Sequence, residues 1–484
     1  MFRAPPPLTP VDPFTYRIEP DAVPGMRVPG ILFSNPALLG GVSGDPALGQ
    51  LANVATLPGI QQWALAMPDI HFGYGFPVGG VAAFDLDEGV VSPGGIGYDI
   101  NCGVRLLRTS LTREEVGPHL KPLIDALYRE VPSGVGSKGA TPLSASELDA
   151  VLSGGATWAV ERGLGRPEDL EFQEEGGRHP AAVPSGVSDS ARRRGLKQLG
   201  TLGSGNHFLE VQVVDEVFHP EFARAMELEP GRVVVMLHTG SRGLGHQVAT
   251  DYIQLMDRKL AERGVALVDR QLSCAPIRSD EGSRYLGAMA AGANFAWANR
   301  QAMTAAVRRA FAAVFHRPEE ALGIDVVYDI GHNMAKEEEH AVDGGRRRVL
   351  VHRKGATRAF PAGRDEVPAK YRAYGQPVLI PGDMGTASYV LGGLPTSMER
   401  SFGSSCHGAG RVLSRHAANR RFRYEDVTRR LAEQGIVVRA SSCEGVTEEA
   451  PGAYKNVEEV VKVAEGAGLT RRVARLLPLG VVKG

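Results

Sequence analysis

The feature of this chain that most restricts its fold is a recurrent one. Short runs rich in valine and isoleucine lead into, or out of, glycine-rich stretches that carry histidine, cysteine or aspartate. Runs of this length and composition read as buried strands, and they lie at 78–86, 103–110, 207–215, 232–237, 324–330, 376–380 and 435–440. Helical spacing of apolar residues predicts helices over 144–162, 246–263, much of 281–315, 425–434 and 456–466. Strands and helices do not alternate regularly, which argues against a β-α repeat and predicts an α+β fold, a strand core covered by helices. No repeat, low-complexity linker or charge block marks a boundary, so residues 1–484 are expected to form one large domain, opening on a proline-rich segment over 1–25.

Composition excludes more than it selects. A formal net charge of −1 provides no global field toward nucleic acid or anionic membrane, so any such binding needs local basic surface. Basic clusters at 191–197, 345–358 and 415–423 are the candidates; the plainer reading of each is a solvated face or ion pairs with nearby acids. The cysteines, Cys102, Cys274, Cys406 and Cys443, are too few and scattered for a disulfide framework, which fits a reducing, cytoplasmic setting. No apolar stretch approaches a membrane span, and no membrane partner is expected.

The glycine-rich stretches concentrate the chemistry. Four histidines sit beside glycine and small polar residues: His207 in GSGNHFLE, His238 in LHTGSRG, His332 in DIGHNMA and His407 in SCHGAGR. DINC adds Asp99 and Cys102. A side chain at a strand end is held rigidly yet faces the loop layer, where ligands and catalytic groups are presented. An aspartate, a thiolate and imidazoles form a mixed O/S/N set suited to Mn²⁺, Zn²⁺, Fe²⁺ or Co²⁺ rather than Mg²⁺ or Ca²⁺. Taken singly, each is more often a packed, hydrogen-bonded core residue. The spacing matches no CxxC pair or HExxH motif, and neither a GxxxxGK[ST] loop nor a Lys-x-Asp-Gly motif is present. A nucleotide would instead be held by turns such as 381–393 and 407–411, whose backbone N–H groups can cradle phosphate. Arg242, four residues beyond His238, can clamp a phosphate bidentately.

Read in order, MPDIHFGYGFPVGG, GGIGYDINCGVR, GSGNHFLEVQ, HTGSRGLGHQ, DIGHNMAK, HRKGATRAF, PGDMGTASYVL, CHGAGR and PLGVVKG resemble the RtcB family of RNA ligases, from about residue 67 to the end. The resemblance implies a GTP-dependent enzyme with a pair of Mn²⁺ ions held by Asp99, a bridging Cys102, His207, His238 and His332. It implies guanylylation of His407, with Asp99 and Arg242 assisting catalysis. Guanine-nucleotide contacts would fall on Asn206, His207, Phe208, Leu209, Glu210, His332, Asn333, Pro381, Gly382, Asp383, Met384, Ser388, Gly408, Ala409, Gly410 and Lys483, with Tyr454 stacked on the base. The implied reaction joins RNA ending in a 2′,3′-cyclic phosphate or 3′-phosphate to a 5′-hydroxyl end, in tRNA splicing or RNA repair, and leaves room for an activating protein partner. Cys406, just before His407, departs from the small apolar residue usual there. Two competing readings share the same residues: a metal-dependent phosphoesterase without guanylylation, and an RNA-binding protein with a structural metal.

Overall fold

The computed structural model describes residues 5–42, 44–140 and 142–484. Two large sheets, two small two-stranded ones and a shell of helices make, among the described residues, an α+β architecture. One sheet runs in the order Thr9–Asp12, Thr15–Ile18, Gly30–Phe33, Ile60–His71, Val78–Asp85, Gly345–Lys354, Asn333–Val342. The other runs Asp325–Gly331, Gly103–Thr112, Arg232–Thr239, Phe208–Val217, Thr470–Lys483, Ser388–Gly393, Pro377–Ile380, with Val437–Ala440 added in parallel to Thr470–Lys483. All seven runs read as strands from sequence are strands. The second sheet shows why they had to be: alternate residues serve opposite faces. Val104, Leu106, Val234 and Met236 pack with Leu65 and Val81 of the first sheet. Leu107, Leu209, Val211, Val233, Val235 and Leu237 pack instead against Leu123, Ile124 and Leu127 of helix Leu120–Glu130 and Met303, Val307 and Phe311 of helix Asp280–Phe315.

Sequence periodicity missed other strands for identifiable reasons. Asn333–Val342 and Gly345–Lys354 form a hairpin whose charges obscure the pattern. Those charges pair across and beneath it: Arg346 with Glu339 at 3.0 Å, Arg348 with Glu337 at 3.0 Å, and buried Arg353 with Glu338 at 2.6 Å. The basic run at 345–358 is thus largely absorbed by its own hairpin, as its plainer reading held. The helix expected over 144–162 is two, Ala145–Gly154 and Ala156–Glu161. Between them Gly155 has φ 57° and ψ −136°, and a Cβ there would lie 2.3 Å from the carbonyl oxygen of Gly177.

The topology also fixes where the chemistry sits. Cys102 immediately precedes Gly103–Thr112 and His207 immediately precedes Phe208–Val217; His238 lies in the last turn of Arg232–Thr239, and His332 follows Asp325–Gly331. These four strands are consecutive neighbours and antiparallel, so two strand starts and two strand ends meet at one edge of the sheet. Val104 and Phe208 are both paired with His238, and Lys483 at the end of the next strand is paired with Phe208. His332 stands where the chain leaves one sheet and enters the other.

Candidate active site

At that edge five side chains converge into two overlapping triads. Cys102, His238 and His332 form one and Asp99, Cys102 and His207 the other, with the ligand atoms of each triad within 4.8 Å of one another. The Cys102 Sγ lies 3.4 Å from His207 Nε2 and 3.3 Å from His238 Nε2. His238 Nε2 is 3.3 Å from His332 Nε2, and Asp99 Oδ2 is 2.9 Å from His207 Nε2. Cys102 is the one residue common to both triads. Close approach is built into the chain: a Cβ at Gly240 would lie 2.5 Å from the Asp99 carboxylate oxygens.

The protonation states of the imidazoles suit ligands. Burial holds His207 below the usual imidazole range, and burial together with neighbouring imidazoles holds His238 and His332 well below it, so all three offer lone pairs. Nδ1 of His207 donates to the Leu202 carbonyl at 2.9 Å, which turns Nε2 toward the cluster. Burial raises the Asp99 carboxyl, but the contact with the His207 ring and the nearby Arg242 guanidinium bring it below the ordinary carboxylate range. Burial and the Asp99 charge push the Cys102 thiol well up. A buried arginine braces the cluster from below. Arg300 donates to both oxygens of Asp329, at 2.7 and 2.8 Å, and to the carbonyls of Asn101 at 2.8 Å and Thr239 at 3.0 Å, next to Cys102 and His238.

The fourth histidine has a different partner. His407 follows the short strand Ser404–Cys406, and its Nδ1 lies 2.6 Å from Oδ2 of Asp69, which also accepts the His407 backbone N–H at 3.0 Å. Asp69 is fully buried. With Nδ1 spoken for, Nε2 is the free nitrogen, and the ring lies 4.6 Å from that of His332, centroid to centroid. The HGAGR turn must sit tight on this pair, since a Cβ at Gly410 (φ 75°) would lie 2.2 Å from the Asp69 carbonyl oxygen. Lys455 reinforces the join: its ammonium donates to the carbonyls of Pro68, at 3.1 Å, and Ile70, while its backbone N–H donates to Gly410 at 2.9 Å.

Both groups open into one pocket of about 280 Å³. Its wall contains Asp99, Cys102, His238, His332 and His407, and, farther along, Asn206, Phe208, Glu210, Asn333, Pro381, Gly382, Asp383, Met384, Ser388, Gly408, Ala409, Gly410, Tyr454 and Lys483. Most residues singled out from sequence therefore meet here. Leu209 does not: it points to the opposite face of its strand, into the apolar layer with Val211 and Leu237, as strand alternation requires. Nor are His207 and Arg242 in the wall; the Arg242 guanidinium lies behind His207, 3.3 Å from Nδ1 of that ring and 3.3 Å from the Thr201 hydroxyl. Asn333 uses its amide internally, donating to the Asp99 carbonyl at 3.0 Å and accepting from Gly355 N–H at 2.9 Å.

The far end of the pocket is densely charged. Glu210 is pushed up to about 8 by burial, while Gln212 donates to it at 2.6 Å and to Ser388 Oγ at 3.0 Å. Lys483 lies 3.7 Å from Glu449, and burial lowers it while that carboxylate resists. Glu449 also pairs with Arg411 at 2.9 Å and accepts from the Tyr454 hydroxyl; the Arg411 guanidinium lies 5.0 Å from the Tyr454 ring centroid. Sequence reasoning missed Asp69, Lys455, Arg411 and Glu449. The MPDIH and HGAGR motifs contain two of them, Asp69 and Arg411, but no spacing rule links Asp69 to a histidine 338 residues away.

Fold and site together define a class: an α+β protein with a buried Asp–Cys–His cluster of the kind that could hold a metal ion and a carboxylate-oriented histidine beside it. The chain belongs to the RtcB family, since the family model described as tRNA-splicing ligase RtcB matches residues 50–484. It is similar to the tRNA-splicing ligase RtcB of Thermococcus kodakarensis, 56% identical over 478 residues and 99% of both chains. The tRNA-splicing ligases RtcB of Aeropyrum pernix, 54% identical over 98% of this chain and 99% of its own, and Pyrobaculum aerophilum, 53% over 99% of each, are comparable.

Proposed function

We propose that this protein is an RNA ligase, dependent on GTP and Mn²⁺, that joins RNA 2′,3′-cyclic phosphate or 3′-phosphate ends to 5′-hydroxyl ends through guanylylated His407. The observation that carries the reading is the pairing of His407 Nδ1 with buried Asp69 at 2.6 Å beside the two triads. That pairing fixes the tautomer with its proton on Nδ1 and leaves a lone pair on Nε2, the requirement for a nitrogen nucleophile. Nε2 then attacks the α-phosphorus of GTP; a P–N bond forms and the bond to pyrophosphate breaks. The GMP passes from His407 to the RNA 3′-phosphate, making a diphosphate that the 5′-hydroxyl attacks, with GMP as leaving group. Asp99, partly exposed, would alternatively orient that hydroxyl.

Mn²⁺ fits the Asp99–Cys102–His207 and Cys102–His238–His332 donor sets, and when bound would polarise phosphoryl oxygens and offset charge developing on them. At the base end, an ionised Glu210 matches the N1 and N2 donors of guanine and Lys483 matches O6. Ser388 and the 381–384 and 408–410 turns supply hydroxyl and backbone groups, and Tyr454 a stacking surface. The free thiols and the absence, among the described residues, of any helix long and apolar enough to cross a membrane fit a cytoplasmic setting. Labelled GTP with Mn²⁺ should leave a covalent GMP on the wild type and none on His407→Ala; an undiminished adduct on the variant removes His407 as nucleophile. Joining of a 3′-phosphate RNA to a 5′-hydroxyl RNA with GTP tests the whole reaction.

A further inference from the structure

At the mouth of the pocket three aromatic rings meet without being buried. Tyr98, directly before Asp99, forms part of the pocket wall. Its ring is nearly parallel to the His246 imidazole, with centroids 4.7 Å apart and an interplanar angle of 23°, and Tyr74 meets it edge on at 5.4 Å. His246 is exposed and the tyrosines are half-buried. Rings that serve only as packing are normally drawn into the core; this stack is left wet beside the reacting groups, on two glycine-rich turns and the start of helix Arg242–Glu262.

The surroundings give the stack a polarity. Burial, then Tyr98, and then Asp257 and Asp269 on the Tyr74 side push that phenol up to about 12. Arg194 lies on the His246 side, its stem packed beside Gly243. In the basic run 191–197, Arg192 pairs with Asp149 at 2.6 Å, whereas Arg193 and Arg194 have no ion-pair partner among the described residues. A polyanion whose bases carry flat faces can therefore cross on the His246 side, and Tyr74 closes the other edge.

We propose that the Tyr98–His246 stack is a subsite for one nucleobase of the RNA strand whose end reaches the pocket, a proposal that rests on the ligase reading above. Stacking of a base on an aromatic side chain is sequence-tolerant and strong enough to hold a terminus in line. The test compares binding, by fluorescence anisotropy without GTP, of 5′-hydroxyl and 3′-phosphate oligonucleotides, each either intact or carrying one abasic ribose in its last few positions. Wild type should lose roughly tenfold in affinity for one abasic position. His246→Ala should bind intact and abasic strands alike and still form its GMP adduct from GTP, and His246→Phe should restore the discrimination. Equal binding of intact and abasic strands by wild type, or full discrimination by His246→Ala, overturns the subsite. Failure of wild type to join RNA ends while still discriminating against the abasic strand overturns the ligase reading alone.

Discussion

The two ends of the pocket are built on opposite plans. The cluster end takes Cys102, His207, His238 and His332 from the tips of four adjacent strands, so sheet hydrogen bonding sets their spacing. The His407 end, where we propose that the nucleotide binds, takes His407, Asp69, Glu449, Tyr454 and Lys483 from loops and strand ends far apart in sequence, joined by buried hydrogen bonds and ion pairs. Rigidity comes from backbone pairing in the first case and from side-chain networks in the second. A single substitution should therefore act differently at each end: at the network end it removes an orientation, at the strand end a ligand.

The sharpest break is expected at Asp69. An asparagine presents either an amide oxygen or an NH₂ to Nδ1, and it cannot accept from ring and backbone N–H with a full charge. Where the NH₂ faces the ring, the proton moves to Nε2 and the nucleophilic lone pair is lost. Asp69→Asn should slow formation of the GMP adduct by about 10³- to 10⁴-fold, the size of effect found when a histidine's orienting carboxylate is made neutral. Metal content should be unchanged. A small rate effect would mean that the loop network, not this carboxylate, orients His407.

At the strand end, Cys102→Ala removes the one atom common to both triads. Purified protein loaded with Mn²⁺ and desalted should lose roughly half or more of its bound metal, because the thiolate left when the metal displaces the thiol proton is the ligand common to both donor sets. Full occupancy in elemental analysis would remove the bridging role. Arg300 gives a graded version of the same test. Arg300→Met breaks a fully buried pair and costs about 3–5 kcal/mol in denaturant unfolding. Losing the links to Asn101 and Thr239 should also weaken Mn²⁺ binding by about 10- to 100-fold, the usual effect of removing a group that orients ligands. Arg300→Lys keeps the charge but not the fork, so weakened metal binding with milder destabilisation separates positioning from stability.

This contrast also explains what could be read in the chain. The strand-tip residues were legible because a histidine or cysteine beside glycine at the end of a valine-rich run reports its own position: in the sheet, facing the loops. Leu209 stands among the same neighbours, but alternation turns its side chain to the other face. The network residues leave no local trace. Asp69 stands in a strand expected from no periodicity, and Glu449 lies in a short turn-rich stretch. Arg300 sits in a helix so buried that its polar residues, Asn294, Asn299, Arg300, Gln301, Thr304 and Arg308, pass for errors in an apolar pattern until their partners are seen. Long-range pairing of charges decided the nucleophile's environment, and one-dimensional spacing does not encode it.

The mildest test concerns the base end, where Glu210 is the informative group. Burial pushes its carboxyl up to about 8, far above an exposed glutamate, so near neutral pH the folded protein holds a proton there that the unfolded chain has released. The fold binds more protons than the unfolded chain between the ordinary glutamate range and about 8. Glu210 therefore costs stability progressively as pH rises through that window, and the full cost is present above it. Glu210→Gln removes the titration, so its melting temperature should exceed that of wild type at pH 8.5 and the difference should vanish near pH 4. Guanine, in contrast, needs the ionised form, whose two oxygens accept from N1 and N2. GTP affinity of wild type should climb as pH rises from 6 to 8, whereas Glu210→Gln should bind roughly tenfold more weakly at pH 8 and show no such climb, one charge-assisted hydrogen bond being worth about that much. Tight, pH-independent binding by the variant would place guanine recognition elsewhere in the network, with Lys483 and the backbone of the 381–384 turn.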